Sequence, residues 1–165
     1  MPEQVEIRRA TPENAAAIAA VLHESFVEFK PLYTEAAFVA TVLDSEQVLK
    51  RILEGPVWIA LRDGIAIGTV GAAPKGGSAY IRGMAVLPSA RRSGTGAALL
   101  ERVEEWASVE KYSRLFLSTT PFLHSAIRLY EKFGFRRKDP RVHDMFGTPL
   151  ITMEKTLDLP ARQVR

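Results

Sequence analysis

The stretch from Tyr80 to Leu100 constrains this chain more than any other: an apolar strand, a break at Pro88, the pair Arg91 and Arg92, a Gly94-Thr95-Gly96 turn, then a helix. Glycines at 94 and 96 lack a Cβ, so the backbone can curl and approach a ligand closely. The first amides of a helix beginning near Thr95 have no carbonyl partner within it and point at whatever anion lies there. Arg91 and Arg92 set positive charge beside those amides. A Gly-x-Gly alone is a common structural turn; the strand, the arginines and the helix together predict a pyrophosphate seat. It is not a P-loop, because no Lys followed by Ser or Thr closes it. Nor is it a dinucleotide fingerprint: Leu99 stands where the third small residue is needed, and the next strand, 114–120, ends in Ser-Thr-Thr with no ribose-binding acid.

The rest of the chain supplies a sheet and helices around that turn. Residues 4–10 alternate as a first strand, and Thr11-Pro12 reads as the cap and first position of a helix carrying Ile18, Val21, Leu22, Ser25 and Phe26 on one stripe. Thr34 and Ser45 read as caps of a helical pair that Gly55-Pro56 ends. The period then becomes two: Val57, Ile59 and Leu61 share a face, Asp63-Gly64 turns the chain, and Ile65 and Ile67 resume it as an antiparallel hairpin. A turn over 74–77 leads into the strand 78–87. Leu99, Leu100, Val103, Trp106 and Ala107 line the next helix, and the apolar strand that follows makes a βαβ crossover. A helix with Ala126, Leu129, Tyr130 and Phe133 inward ends at Gly134. Strands are expected near 135–138 and 150–157, with a polar loop over 139–149 and a frayed tail over 159–165. The fold class is α/β (α+β): one domain over residues 1–165, core about 4–157, with a mixed, mostly antiparallel central sheet flanked by helices.

The run from Val86 to Gly96 resembles the acyl-CoA signature of the GNAT acetyltransferase superfamily, Arg or Gln, two residues, Gly, one residue, then Gly or Ala, and matches every position of it. Ala126 to Phe135 is similar to the family's Leu-Tyr-x-x-x-Gly-Phe helix end, at the expected distance downstream. The resemblance implies acetyl-CoA as cosubstrate, with Arg91, Arg92, Ser93, Gly94, Thr95, Gly96 and Ala97 at its pyrophosphate. It implies that main-chain groups of Met84, Ala85 and Val86 face the thioester and pantetheine arm. It also implies Tyr130 beside the thioester sulfur, where a phenol near pKa ~10 can donate to a departing thiolate near ~8.5. By its position on an apolar stripe, Tyr130 reads equally as a packing residue. Gly83 reads as a bulge that frees backbone amides for an oxyanion, or as a neutral strand residue. Where many members carry an Asn three residues before Ala126, this chain has Leu123.

The strand 78–87 carries no Asp or Glu, so no general base is evident. Arg82 stands near where one would be sought; it reads as a surface charge, with recruitment of an anionic acceptor as the alternative. His23, Glu24 and Glu28 fall on a region resembling the family's variable acceptor wall, and Glu there reads as a solvated face. His124 and His143-Asp144 have no ligand spacing with one another, so no metal site is expected.

The expected partner is a small-molecule or peptide amine, with the possibility of a homodimer left open. The net charge of +3 is modest, and the basic cluster at Arg136, Arg137, Lys138 and Arg141 reads as a solvated loop rather than a nucleic-acid surface. No stretch has membrane-spanning length, the start of the chain lacks a leader pattern, and cytoplasmic residence fits. Zero cysteines exclude disulfides, thiolate metal sites and a Cys acyl-enzyme. With the two motifs in order, the resemblance implies N-acetyl transfer, for which the expected route is direct transfer in a ternary complex. The rival of another class is a non-catalytic acyl-CoA-binding sensor, which the carboxylate-free strand favours.

Overall fold

A computed structural model describes residues 4–157. The expected tail over 159–165 and the first three residues lie outside the described residues. Seven strands form one sheet in the order β1-β2-β3-β4-β5-β7-β6. They are β1 (Val5–Arg9), β2 (Val57–Arg62), β3 (Ile65–Lys75), β4 (Ser78–Val86), β5 (Arg114–Thr119), β6 (His143–Met145) and β7 (Thr148–Thr156). The helices are α1 (Ala15–Phe26), α2 (Glu35–Thr41), α3 (Ser45–Glu54), α4 (Thr95–Val109) and α5 (His124–Lys132). Every strand pair is antiparallel except β4 with β5, the pair joined through α4.

Alternation along β2 divides the core into two layers. Val57 and Ile59 bury against Ile18, Val21 and Leu22 of α1 and Val48 of α3, whereas Trp58 and Ala60 join Leu99, Leu100 and Val103 of α4. A smaller cluster, Tyr33, Ala37 and Phe38 with Phe29, Phe122 and Met145, closes one end of the sheet.

Three hairpins turn on two residues with positive φ, the sign of the type I′ turn that matches strand twist: Asp63-Gly64, Gly76-Gly77 and Phe146-Gly147. The second leaves Pro74 and Lys75 inside β3, so the turn is shorter than the 74–77 expected. The third corrects the reading of 139–149 as loop, because β6 and the start of β7 lie within it. Conversely, the strand expected near 135–138 is a single bridge, Arg136 with Glu154. The cap of α3 is Asp44 rather than Ser45: its side chain accepts from the Gln47 amide at 2.9 Å while Gln47 reaches back to the Asp44 amide at 3.0 Å.

Thr34 ties α2 to the β6–β7 hairpin. Its hydroxyl accepts from the Ala37 amide at 3.1 Å and donates to the Phe146 carbonyl at 2.7 Å. Thr34→Ala removes both the cap and the tether, and urea unfolding should register a loss of about 1–2 kcal/mol, which Thr34→Ser largely restores.

Candidate active site

The site begins where β4 and β5 part. Their parallel pairing ends at Ile81 with Leu117. Beyond it β4 stays paired to β3 as far as Val86, and β5 stays paired to β7 as far as Thr119. The two strands therefore diverge, each held from its outer side, and a wedge opens along about 16 Å of β4 edge from Arg82 to Val86. A bulge sits at the mouth of this wedge. Thr69 pairs with Ala85 and Gly71 with Arg82, so Gly83 and Met84 together oppose Val70. Gly83 has φ +63°, a conformation that side chains disfavour.

At the end of β4 the chain passes through a 3-10 turn, Pro88–Ala90, into the glycine turn. Arg92 at φ +65° and Gly94 at φ +85° both lie in the left-handed region, and a Cβ on Gly94 would meet nothing within 4 Å. Gly94 is there for its backbone angle and faces open space. Gly96 is there for contact: a Cβ would come 2.7 Å from Leu129 Cδ2 of α5. The first amide of α4 to reach a carbonyl of the turn is Ala98, on Gly94, so those of Thr95, Gly96 and Ala97 precede the intrahelical ladder. Thr95 itself is buried, its hydroxyl 2.8 Å from that of Ser93, and only its backbone faces the turn.

The two arginines differ in their surroundings. Arg91 donates to the carbonyls of Ser25 at 2.8 Å and Val86 at 3.2 Å and pairs with Glu28 at 2.5 Å. It braces the turn against α1 and the end of β4. Arg92 is exposed and, among the described residues, has no ion-pair or hydrogen-bond partner.

Met84, Val86, Gly96 and Leu129 meet at one place: Met84 Cε and Val86 Cγ2 lie 3.5 and 3.9 Å from the Cβ position of Gly96. Ala85 points the other way, into the α1 and α3 layer, and offers the wedge only its backbone. Tyr130, the residue after Leu129, is buried edge-on to Phe135. Burial, and then the neighbouring Tyr33, push its phenol well above the ordinary tyrosine range. Tyr130 therefore holds its proton throughout the working pH range, as a donor must and a base must not. Burial also raises the Tyr33 phenol, offset in part by the adjoining Thr120. The Thr120 Oγ1 is buried without a hydrogen-bond partner, so the two hydroxyls lie side by side without the alignment of a bond.

His23, Glu24 and Glu28 are all exposed at the end of α1, Glu28 engaged with Arg91. Leu123 forms the N-cap of α5 and makes no side-chain cap. Among the described residues no group of His, Asp and Glu is placed to hold a metal, and no helix is long and apolar enough to cross a membrane.

Residues 16–135 match the model of the acetyltransferase (GNAT) family. The chain belongs to that family. It is 30% identical over 145 residues to the uncharacterized N-acetyltransferase YjgM of Escherichia coli strain K12, covering 84% of this chain and 86% of that protein. It is 29% identical over 135 residues to the N-acetylaspartate synthetase of Rattus norvegicus, covering 81% of this chain and 45% of the relative, so it spans about half that relative's length. The crystal structure of PaiA N-acetyltransferase from Thermoplasma acidophilum in complex with coenzyme A shares the fold with a TM-score of 0.78, at 20% identity over 93% of this chain and 99% of that one.

The Tyr130 environment carries a sign that stability measurements can read. A phenol whose folded pKa lies above its unfolded value near ~10 leaves stability intact below that pH and removes it as pH climbs above. Urea unfolding should show the wild type losing more stability between pH 8 and pH 11 than Tyr130→Phe. Equal losses would mean that the buried phenol is not the titrating group.

Proposed function

We propose that this chain is an N-acetyltransferase that moves an acetyl group from acetyl-CoA to a primary amine by direct transfer in a ternary complex. The observation that carries the reading is the wedge between β4 and β5, with a bulge at its mouth and the free amides of α4 at its end. The residues present suit the cosubstrate. The amides of Thr95, Gly96 and Ala97, aided by exposed Arg92, are placed for the diphosphate. Unpaired backbone groups of β4 from Gly83 to Val86 are placed for an amide-bearing arm and a thioester carbonyl. When bound, acetyl-CoA supplies the activated acyl carbon and a thiol leaving group.

The neutral amine nitrogen attacks the thioester carbon, the C–S bond breaks with the electron pair leaving on sulfur, the thiolate takes the phenol proton, and the proton shed by the new amide nitrogen returns to the phenolate. Tyr130 is that phenol. The burial that lifts its phenol also lifts a thiol brought against it, so the proton remains transferable between them. The chain has no cysteine to form a thioester acyl-enzyme, and in this reading the amine attacks acetyl-CoA itself. β4 carries no Asp or Glu, so an alkyl amine near pKa ~10.4, neutral about once in a few thousand molecules at pH 7, enters as the rare neutral form. The rate at low acceptor concentration should then rise about tenfold per pH unit until the acceptor's own pKa; a plateau well below it would reveal an enzyme base.

Tyr130→Phe should lower kcat by about 100-fold, within the range for a lost general acid, while the acetyl-CoA Kd moves less than about twofold. Equal losses in both, or none, would remove Tyr130 from the acid role. Acetyl-CoA binding without thiol release for any amine would favour the non-catalytic sensor.

A further inference from the structure

Beside the β4 bulge, on the α1 and α3 layer of the sheet, two guanidinium groups are brought together without enough negative charge to match. Arg51 comes from the last turn of α3 and Arg82 from β4. Arg51 Nη1 lies 3.1 Å from the Cβ position of Gly83, so the guanidinium rests on the bulge itself and any larger residue at 83 would displace it. Arg51 is partly buried, yet among the described residues it has no hydrogen-bond or ion-pair partner. Burial, and then the charge of Arg82, pull its pKa below the ordinary guanidinium value. Arg82 has one partner, Glu54, at 3.4 Å from a side chain that is 49% exposed, and its Nε is buried and unpartnered. Both arginines line the rim of a small cleft of about 20 Å³ whose other walls are chiefly aliphatic, Leu22, Val48 and Val57 among them, with Thr69, Gly71 and Gly83. A water needs about 10–15 Å³, so the cleft admits about one water-sized group, and a carboxylate would sit at its mouth with one oxygen directed inward.

Two adjacent cations that are half withdrawn from water and short of partners are costly to the free protein and favourable once an anion arrives. Guanidinium donors in a fork suit a planar carboxylate. We propose that Arg51 and Arg82 seat a carboxylate of the acceptor, making the acceptor an amino acid or a close analogue with its amine a few bonds from that carboxylate. This rests on the transferase reading above, because it is the bulge at Gly83 that would hold the thioester. A carboxylate seated beside the bulge leaves an α-amino group within reach of that carbon, whereas a longer spacer would carry it past.

The test compares thiol release from acetyl-CoA with L-aspartate, L-methionine and L-phenylalanine against their α-amides, for wild type, Arg51→Met, Arg82→Met and Glu54→Gln. The wild type should prefer the acids. Each arginine variant should lose about 10- to 100-fold of that preference, mainly in KM, with the acetyl-CoA Kd unchanged by calorimetry. Arg51→Met should melt no lower than wild type, because it removes an unpaired charge; a brace would melt lower. Glu54→Gln, which frees Arg82 from its competing anion, should lower KM for the acids. Equal rates for acids and amides, or a preference that survives Arg51→Met, would overturn the proposal and leave the transferase reading standing. Should no amine release thiol, the transferase reading fails and succinate decides the seat separately. Stabilisation by succinate of wild type but not of Arg51→Met upholds it, and no stabilisation overturns it.

Discussion

Two parallel strands that stop exchanging hydrogen bonds partway along a sheet leave backbone donors and acceptors facing each other across a gap, and each such group costs about 1–3 kcal/mol if it stays buried and unmet. In this chain the break falls after Ile81 and Leu117. It is tolerated because both strands keep their outer partners, β3 on one side and β7 on the other. Everything of chemical interest gathers along that break. The β4 bulge lies at Gly83 and Met84, α4 starts shortly after β4 ends, and Leu129 of α5 meets Gly96 of α4 beside Met84 and Val86 of β4. The wedge leaves β4 backbone without a β5 partner from Arg82 onward, and the proposed cosubstrate has amide groups to meet it.

The glycine turn was legible in the sequence because the backbone there dictates residue identity. Gly94 answers to a left-handed angle and Gly96 to a 2.7 Å clash with Leu129. The two glycines thus have different physical reasons, which a motif states as one. The helices and the β2–β3 hairpin were legible for a similar reason, periodic burial joined to an Asp-Gly turn. The last hairpin was hidden because Phe146 occupies a left-handed position where Asn, Asp or Gly would advertise a turn, and because β6 has only three residues. Arg136 follows a glycine-ended helix as a strand residue would, but the chain makes one bridge to Glu154 and leaves.

The proposed cofactor half of the site has a sequence pattern, and the proposed acceptor half has none. Diphosphate recognition uses backbone, which constrains sequence tightly, whereas acceptor recognition uses side chains delivered from separate elements. Arg51 belongs to a run of polar helix positions that looks like any solvated face. Only tertiary packing reveals that it lies over Gly83 with no hydrogen-bond or ion-pair partner among the described residues. Arg82, read as a surface charge, proves to have a side chain only 21% exposed. Arg91, whose place in the motif suggests a ligand contact, has its guanidinium on the Ser25 and Val86 carbonyls and on Glu28. Those contacts hold the turn from which the amides of the proposed seat project.

A crystal structure of the chain with coenzyme A tests the central claim most directly. The diphosphate should accept hydrogen bonds from the amides of Thr95, Gly96 and Ala97, and the amide-bearing arm should run through the wedge, pairing with β4 between Gly83 and Val86. Coenzyme A bound elsewhere, or a wedge closed by renewed β4–β5 pairing beyond Ile81 with the diphosphate off the α4 terminus, would contradict it.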